Sequence, residues 1–362
     1  MVSTKQNTPI LILPGETLIE LLEEKGMTQL ELAERMGRPH KTINEIIKGK
    51  TSITPETAIQ LEGVFSVPAS FWMNLESNYQ VALARFDFAK KLEKEYKIAE
   101  KYPYREMIKL GWINSCKDVK EVVKCMLNFF GVVSLENVIE KNIFAGVQYR
   151  ISSKKDHSKE AVIAWLRKGV LEAQKIRTND FDAKKLKENL LNIKKLMFSS
   201  PDKFMPELTK LLADCGVALV ILKNLKNVPI NGVTRWISSD KALIQMSIRG
   251  KYADIFWFSL FHEIGHLLLH RKKGVYVDSK NETINKDQEK EANKFASDIL
   301  ISETEYNDFV TRFKMFKDIN ILKTFSKKNG VINGIVVGRL QNDGVIGRNE
   351  LNSLRNKYEW VN

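Results

Sequence analysis

The chain has 362 residues, which is long enough for two or three domains with cores of their own. It lacks any run near 18 apolar residues, and its first residues lack the apolar core of a signal peptide, so we expect an unexported, cytoplasmic protein outside the membrane. The cysteines, Cys116, Cys125 and Cys215, are odd in number and lack CxxC spacing, which favours reduced thiols over a disulfide framework or a zinc knuckle.

The formal net charge of +13 is distributed unevenly. Residues 1–80 contain 7 Lys or Arg against 10 Asp or Glu, whereas residues 81–215 contain 27 against 18 and residues 216–362 contain 23 against 16. A basic chain indicates a polyanionic partner, although solvated lysine faces on helices account for much of the middle region.

The first 50 residues have the pattern of three short helices. An extended tail that ends with Pro14 and Gly15 precedes the first helix, which begins near Leu18. A capping box of Thr28 and Glu31 starts the second helix, and a glycine ends it. The third helix lies within residues 41–50, and we expect three of its side chains to turn inward: Ile43, Ile46 and Ile47.

The second and third helices, joined across the glycine turn, are typical of a helix-turn-helix. The third helix has a basic polar face inside a domain that is otherwise acidic. This concentration of positive charge on one surface favours contact with phosphate. A small helical bundle used for dimerisation is the alternative. The side chains expected to contact DNA are Arg38, Lys41, Thr42, Asn44 and Lys48.

The stretch GMTQLELAERMGRPHKTINEIIKGKTSITPETAIQLEGVFSVPASFWMNLESNY resembles the HigA-type branch of XRE regulators over its full length. The resemblance implies that Lys41, Thr42 and Asn44 face the DNA groove. It also implies a helix after Pro68 that completes the fold and helps it to dimerise. Residues 1–80 are therefore predicted to be a DNA-binding domain whose partners are operator DNA and a second copy of the chain.

Residues 81–204 are lysine-rich and helical in pattern, and they contain no catalytic constellation. Apolar spacing predicts helices at 119–130 and 161–176, and residues 182–198 form a basic amphipathic segment. This segment fits a solvated helix face better than a face bound to a membrane or nucleic acid. We treat the whole range as a helical connecting region whose role the sequence leaves open.

The C-terminal part has strand-like segments, VALVIL, GVTRWIS and KALIQMSIR, ahead of an apolar helix, IFWFSLFHEIGHLLLHR, which we expect to be buried all round. In that helix His262 and His266 lie one turn apart on one face, so that two imidazoles can reach one tetrahedral ion. Glu263 would lie beside the bound water as its base. Three of the five histidines fall within nine residues, which favours a metal site over a pair of core histidines. His270, four residues after His266, lies farther around the helix from the shared face and is expected to cap the last turn.

A catalytic zinc site needs three protein ligands and an open position. In the segment EKEANKFASDIL an apolar stripe recurs at helical spacing, and Glu289 projects near its centre while Glu291 points about a quarter-turn away. Glu289 is therefore the predicted third ligand, and an exposed carboxylate is the alternative. Asn293, one turn later, is placed to hydrogen-bond a ligand.

HEIGHLLLH followed by EKEANKFASDIL closely resembles the ImmA/IrrE metallopeptidases, and the resemblance covers about residues 205–346. It implies one zinc ion held by His262, His266 and Glu289, and a protein substrate, namely a helix-turn-helix repressor. Ser302 stands where the family usually has proline. This departure concerns the end of the ligand helix and leaves the ligands intact.

The predicted fold class is α+β and mainly helical, with an N-terminal helix-turn-helix domain, a helical connecting region and, at 205–362, a zincin-like metallopeptidase domain with a small sheet. The leading hypothesis is a cytoplasmic regulator with a zinc endopeptidase domain that cleaves itself or a repressor in a stress, phage or toxin–antitoxin response. The alternative is an antitoxin-like repressor whose peptidase fold is a non-catalytic sensor. The regulatory N-terminal domain argues against a third candidate, a digestive protease.

Overall fold

The computed structural model describes residues 12–116, 118–140, 158–249, 251–270, 286–316 and 318–359. The chain divides into two compact units, residues 1–96 and 97–362. Helices predominate and one small sheet is present, so the predicted fold class is confirmed. Within the described ranges, no helix combines the length and the apolar character needed to cross a membrane.

The described part of the first unit is all-helical and has its own core. Trp72 lies at 0% exposure in that core, where its ring contacts Phe65 and Phe71. The last helix of this unit continues past residue 80. The domain bounds predicted at 80 and 204 stay a prediction. The helices are α1 (Pro14–Glu24), α2 (Gln29–Met36), α3 (His40–Ile47), α4 (Pro55–Phe65) and α5 (Ala69–Ala99).

Helix α1 begins earlier than predicted. Pro14 and Gly15 are its first residues and are buried, whereas we expected them to end an extended tail. Proline suits this position because the N–H that it lacks has no helical acceptor in the first turn. Gly15 is required by packing, since a Cβ there would lie 2.1 Å from the carbonyl oxygen of Ile47 on α3.

Helices α2 and α3 meet across a turn at Gly37, whose φ of 63° favours glycine. Thr28 caps α2 as predicted, because its hydroxyl accepts a 3.1 Å hydrogen bond from the Glu31 N–H. The Glu31 carboxylate pairs with Arg35 at 2.5 Å. The three isoleucines of α3 that were expected to turn inward are all buried: Ile43, Ile46 and Ile47.

In the described part of the second unit, six α-helices precede the sheet. Three have side-chain caps: Asp118 accepts from the Glu121 N–H at 2.8 Å, Ser158 from the Ala161 N–H at 3.1 Å, and Asp182 from the Lys185 N–H at 3.0 Å. The helices predicted at 119–130 and 161–176 are confirmed as the second and fourth of this series. The series is α6 (Tyr104–Lys109), α7 (Val119–Phe130), α8 (Glu136–Glu140), α9 (Lys159–Lys175), α10 (Ala183–Lys195) and α11 (Pro201–Ala213).

The three predicted strands form a sheet in the order β1-β3-β2, where β1 is Val217–Ile221, β2 is Gly232–Trp236 and β3 is Ala242–Met246. The central strand β3 pairs parallel with β1 and antiparallel with β2. Every residue of β3 is buried, including Gln245, whose amide donates to the Trp165 carbonyl of α9 at 2.8 Å. Helix α9 therefore covers the sheet and satisfies its one buried amide side chain.

Five further helices follow the sheet in the described residues. Most of the first is buried, but Leu269 near its end is 49% exposed, so this helix is not buried all round as we expected. The last of these helices packs against the first. The five are α12 (Ala253–Leu269), α13 (Lys286–Leu300), α14 (Glu303–Phe316), α15 (Ile319–Lys328) and α16 (Asn333–Asn342).

Helices α14 and α15 are two separate helices rather than one continuous helix. Asp318 explains the second start, because its carboxylate accepts a 2.8 Å hydrogen bond from the Asn320 N–H and caps α15. The two helices then fold together through stacked rings of Phe309 and Phe325, whose centroids are 4.1 Å apart.

Specific polar contacts fix the ends of α12 and α13. At the start of α12, buried Asp254 accepts hydrogen bonds of 3.1 and 2.7 Å from the Arg355 guanidinium. At the end of α13, Lys194 donates to the carbonyl oxygens of Ile299 and Leu300 at 2.9 and 2.7 Å. A cation at this end satisfies carbonyl groups that the helix itself leaves unpaired. These hydrogen bonds therefore anchor the start of α12 and the end of α13 to neighbouring segments of the chain.

Candidate metal centre

Helix α12 brings two imidazole nitrogens together. His262 and His266 lie one turn apart, and their Nε2 atoms are 3.0 Å from each other. Both side chains are 14% exposed, so the pair lies just beneath the surface. Two neutral imidazoles that turn ring nitrogens toward a common point are suited to binding a cation there.

Glu289 on α13 completes the group. Its Oε1 lies 3.2 Å from Nε2 of His266, and its Oε2 lies 3.5 Å from Nε2 of His262. The close approach of the two helices depends on Gly265, because a Cβ there would lie 3.0 Å from a ring carbon of Phe295 and 3.4 Å from Cα of Ala292. Small residues at this crossing therefore set the position of the carboxylate.

The distances fit a tetrahedral ion. Zinc binds nitrogen and oxygen ligands at about 2.0–2.1 Å, so two ligand atoms of a regular tetrahedron are about 3.3–3.4 Å apart. The two Nε2 atoms, 3.0 Å apart, and Oε1 of Glu289, 3.2 Å from Nε2 of His266, lie close to this separation, and the other oxygen, Oε2, is 3.5 Å from Nε2 of His262. Within the described residues, the buried Oε2 atom of Glu289 has no hydrogen-bond partner, as expected for an atom whose partner is a cation. The group could therefore hold a metal ion.

The charges within the group are strongly coupled. The close approach of His262 and His266 holds the pKa of Glu289 well below its usual range, so the carboxylate is ionised. Burial alone would lower the pKa of His262, but the close carboxylate of Glu289 and the charge of Glu263 outweigh burial and raise it. The side chain of Asn293 adds to this rise in the pKa of His262, so it acts on a histidine of the group. The site thus concentrates negative charge around two imidazoles.

Glu263 is buried beside the group. Burial raises the pKa of its carboxyl, and the charge of His262 and a hydrogen bond from Thr234 offset this only in part. The Thr234 hydroxyl on β2 lies 2.6 Å from Oε2 of Glu263. Gly232 on the same strand leaves room for the side chain, because a Cβ there would lie 2.9 Å from Cγ of Glu263. A buried carboxylate with a raised pKa can accept and return a proton near neutral pH.

His270 and Glu291 form a second layer behind His266. Nδ1 of His266 lies 3.1 Å from Nδ1 of His270, and Nε2 of His270 lies 2.8 Å from Oε2 of Glu291. His270 ends α12 as predicted, and its ring also contacts the metal group, which the sequence interpretation missed. The spacing of four residues after His266 was the available signal. Glu291, which we set aside as a ligand, contacts His270 instead.

The side chains predicted to contact DNA lie in the first unit around α3. Lys41 and Lys48 are exposed, and Thr42 and Asn44 are half-buried beside them. Lys41 is 84% exposed, with its Nζ 3.8 Å from Oε1 of Glu45. Arg38 is held against α4, because its Nε donates to the side-chain oxygen of Gln60.

Comparisons with known proteins match both parts of the chain. A helix-turn-helix family model matches residues 18–72, and a model of the IrrE N-terminal-like domain matches residues 254–340. The uncharacterized HTH-type transcriptional regulator YddM of Escherichia coli (strain K12) is 32% identical over 71 residues, which is 20% of this chain and 76% of that protein.

Two similar solved structures each match about a fifth of the chain. An addiction module antidote protein of the HigA family from Coxiella burnetii is 36% identical, with a TM-score of 0.22, over 23% of this chain and 91% of that one. PA4674 from Pseudomonas aeruginosa, in complex with its operator DNA, is 38% identical, with a TM-score of 0.20, over 20% of this chain and 80% of that one.

The N-terminal part belongs to the XRE-type helix-turn-helix regulators, and residues 254–340 match the IrrE/ImmA-like peptidase domain. It is a DNA-binding helix-turn-helix regulator that carries an IrrE-like peptidase-family domain.

Proposed function

We propose that this regulator is a zinc-dependent endopeptidase that cleaves itself or a helix-turn-helix repressor in a stress, phage or toxin–antitoxin response. The observation that carries the proposal is the convergence of His262, His266 and Glu289 beside the buried carboxylate of Glu263. Because its proposed partner is operator DNA, we propose that the protein is cytoplasmic. The proposed domains are residues 1–80 for DNA binding, 81–204 as the connecting region and 205–362 for the peptidase.

The ligand set favours zinc. Two imidazoles and one carboxylate are the protein ligands of many catalytic zinc sites, which keep a fourth position open for water or substrate. When bound, zinc supplies Lewis acidity, which polarises a peptide carbonyl and makes water more acidic. The ionised state of Glu289 suits a ligand, because binding then requires no loss of a proton from that carboxyl.

Glu263 is the proposed general base and, later, the general acid. Its carboxylate would take the proton of the attacking water and return it to the leaving amine. Burial raises the pKa of Glu263 and thereby strengthens it as a base, while the hydroxyl of Thr234 holds one carboxylate oxygen in place. Thr234 is a positioning residue in this mechanism, because it acts through Glu263.

His270 and Glu291 are proposed to orient His266. If Nε2 of His266 binds the ion, its proton lies on Nδ1, which then donates to Nδ1 of His270. His270 in turn carries its proton on Nε2 and donates to Glu291. This series of hydrogen bonds fixes the tautomers of both rings and directs the His266 ligand atom toward Glu289.

The DNA-binding half of the proposal rests on α3. Its isoleucines are buried, so its opposite face carries Lys41 and Lys48 into solvent, where they can contact phosphate, while Thr42 and Asn44 can contact base edges. Arg38 completes the predicted set beside the turn. A homodimer on operator DNA is part of the proposal, because helix-turn-helix proteins bind paired half-sites as dimers.

The metal half is tested by the zinc content of purified protein. We expect about one zinc per chain in the wild type, and His262→Ala or His266→Ala should lose most of it, because two remaining ligands cannot close the site. Full zinc retention in either variant would contradict the proposed ligand set.

The DNA half is tested by operator binding at several salt concentrations. Lys41→Ala should weaken binding and reduce the salt dependence by about one released ion, whereas Asn44→Ala should weaken binding with little change in that slope. Lys25→Ala is the matched control, since this lysine is half-exposed but lies outside α3. Equal losses in all three variants, or no operator affinity at low salt, would refute the assignment of α3.

A further inference from the structure

Two of the three cysteines lie in contact. Cys116 is in the segment between α6 and α7, Cys125 is on α7, and their Sγ atoms are 3.0 Å apart. Both are partly exposed, whereas Cys215 is buried. The sequence gives no sign of this pair, because a spacing of nine residues matches no cysteine motif.

We infer that Cys116 and Cys125 form a reversible intramolecular disulfide, and that this site reacts with hydroperoxides or small disulfides. A disulfide bond is about 2.05 Å long, so the sulfurs need to approach by about 1 Å. Helix α7 fixes Cys125, while Cys116 lies outside regular secondary structure, where a shift of this size needs no helical hydrogen bond to break. The partial exposure of both sulfurs gives an oxidant access.

The surroundings suggest which sulfur reacts first. Burial, the contact with Cys125, and the carboxylates of Glu121 and Asp118 raise the pKa of the Cys116 thiol to about 12. Thiolates, rather than thiols, attack oxidants, so Cys116 is poorly suited to the first step. In the reduced pair the Cys116 S–H is the donor and the Cys125 sulfur is the acceptor, so Cys125 is assigned the first attack and Cys116 the second.

With hydrogen peroxide, the Cys125 thiolate attacks one peroxide oxygen, the O–O bond breaks, and a proton from solvent completes water and a sulfenic acid. The Cys116 sulfur then attacks the Cys125 sulfur and displaces its oxygen, which leaves as water with the Cys116 proton. The two thiols lose two electrons to the peroxide. With a small disulfide, two successive exchanges release two small thiols instead.

The alternative is a pair of permanently reduced thiols. The Cys116 thiol also lies 3.1 Å from the carbonyl oxygen of Asn114, so a hydrogen bond to that oxygen is available in the reduced protein. Peptide mapping distinguishes the two states. Trypsin cuts after the lysines between the two cysteines, so Cys116 falls in the peptide 110–117 and Cys125 in the peptide 125–141.

The experiment treats the full-length, reduced protein with hydrogen peroxide or with oxidised glutathione, removes the oxidant, blocks free thiols with N-ethylmaleimide in denaturant so that buried Cys215 also reacts, and maps the tryptic peptides. We expect the two peptides to be joined, the intact chain to have lost two hydrogen atoms, and one maleimide to remain on Cys215. Dithiothreitol should restore three reactive thiols. Cys215→Ala should still form the link, and Cys125→Ser should form none.

Three results would each overturn the inference: three thiols that stay free under both oxidants, a link that involves Cys215 or a second chain, or oxidation of either sulfur to a sulfinic acid without a link. The mapping is decisive in the wild-type protein alone, so it does not depend on the folding of a variant. Cys116→Ala serves as a second variant if Cys125→Ser does not fold.

Discussion

Zinc affinity should rank three variants in an order set by the contacts around His266. Glu289→Ala removes one of three ligand atoms, His270→Ala removes the acceptor of the His266 Nδ1–H, and Glu291→Ala removes the outermost group. The side chains of Glu289 and His270 are 12% and 10% exposed, whereas that of Glu291 is 63% exposed. Water can therefore replace Glu291 but not the other two.

The magnitudes follow from these environments. A buried N–H left without an acceptor costs about 1–3 kcal/mol, so His270→Ala should weaken zinc binding roughly 5- to 150-fold. This agrees with the loss of about 10- to 100-fold that is typical when a partner of a ligand is removed. Glu289→Ala should exceed about 100-fold because it removes a ligand itself, and Glu291→Ala should stay below about 10-fold because solvent takes its place.

The assay is competition between the metal-free protein and a chromophoric zinc chelator at fixed pH and salt. His270→Gln is the matched control, because its amide oxygen can still accept a hydrogen bond. We expect it to recover part of the loss. The reasoning is refuted if Glu291→Ala weakens binding as much as Glu289→Ala, or if His270→Ala leaves the affinity within about twofold of wild type.

Two further predictions concern the same site. In the metal-free protein the pKa of His262 is raised, whereas zinc binds only the neutral ring. Zinc affinity should therefore fall by about tenfold per pH unit as the pH drops below that pKa. Equal zinc affinity at pH 8 and pH 6 would contradict this charge balance. Gly232→Ala should destabilise the protein by about 1–3 kcal/mol in thermal unfolding, because its Cβ would lie 2.9 Å from both Glu263 Cγ and Met246 Sδ. Gly63→Ala, whose Cβ would meet nothing within 4 Å, should cause no loss, and equal effects would refute the packing argument.

Prediction from the sequence succeeded where the helical repeat alone determines which side chains share a face. The helical repeat alone predicts that His262 and His266 share a face and that Glu289 points inward, and the structure brings these three together. Thr234 escaped prediction because its contact with Glu263 depends on how an edge strand lies against a helix 29 residues later. The role of His270 was missed because the repeat does not reveal where the second nitrogen of His266 points.

The other differences between the prediction and the structure have local causes that are hard to recognise in the sequence. Proline at the start of α1 was interpreted as the end of a tail, although proline is equally favourable in a first helical turn. The start of α15 as a helix separate from α14 depends on a single cap at Asp318, which helical spacing does not reveal. The contact of Cys116 with Cys125 depends on the path of the chain between α6 and α7.

The most direct test of the proposed peptidase is Glu263→Gln, which keeps both histidines and a similar shape but removes the proton acceptor. The measurement is an immunoblot for fragments of this chain and of the candidate repressor in a reporter strain under inducing stress. We predict that purified Glu263→Gln retains its zinc and its operator affinity while cleavage falls by about 100-fold or more, so that the variant stays a repressor under stress. Derepression equal to wild type, with no fragment of either protein in either strain, would show that proteolysis is not the switch and would favour a non-catalytic sensor.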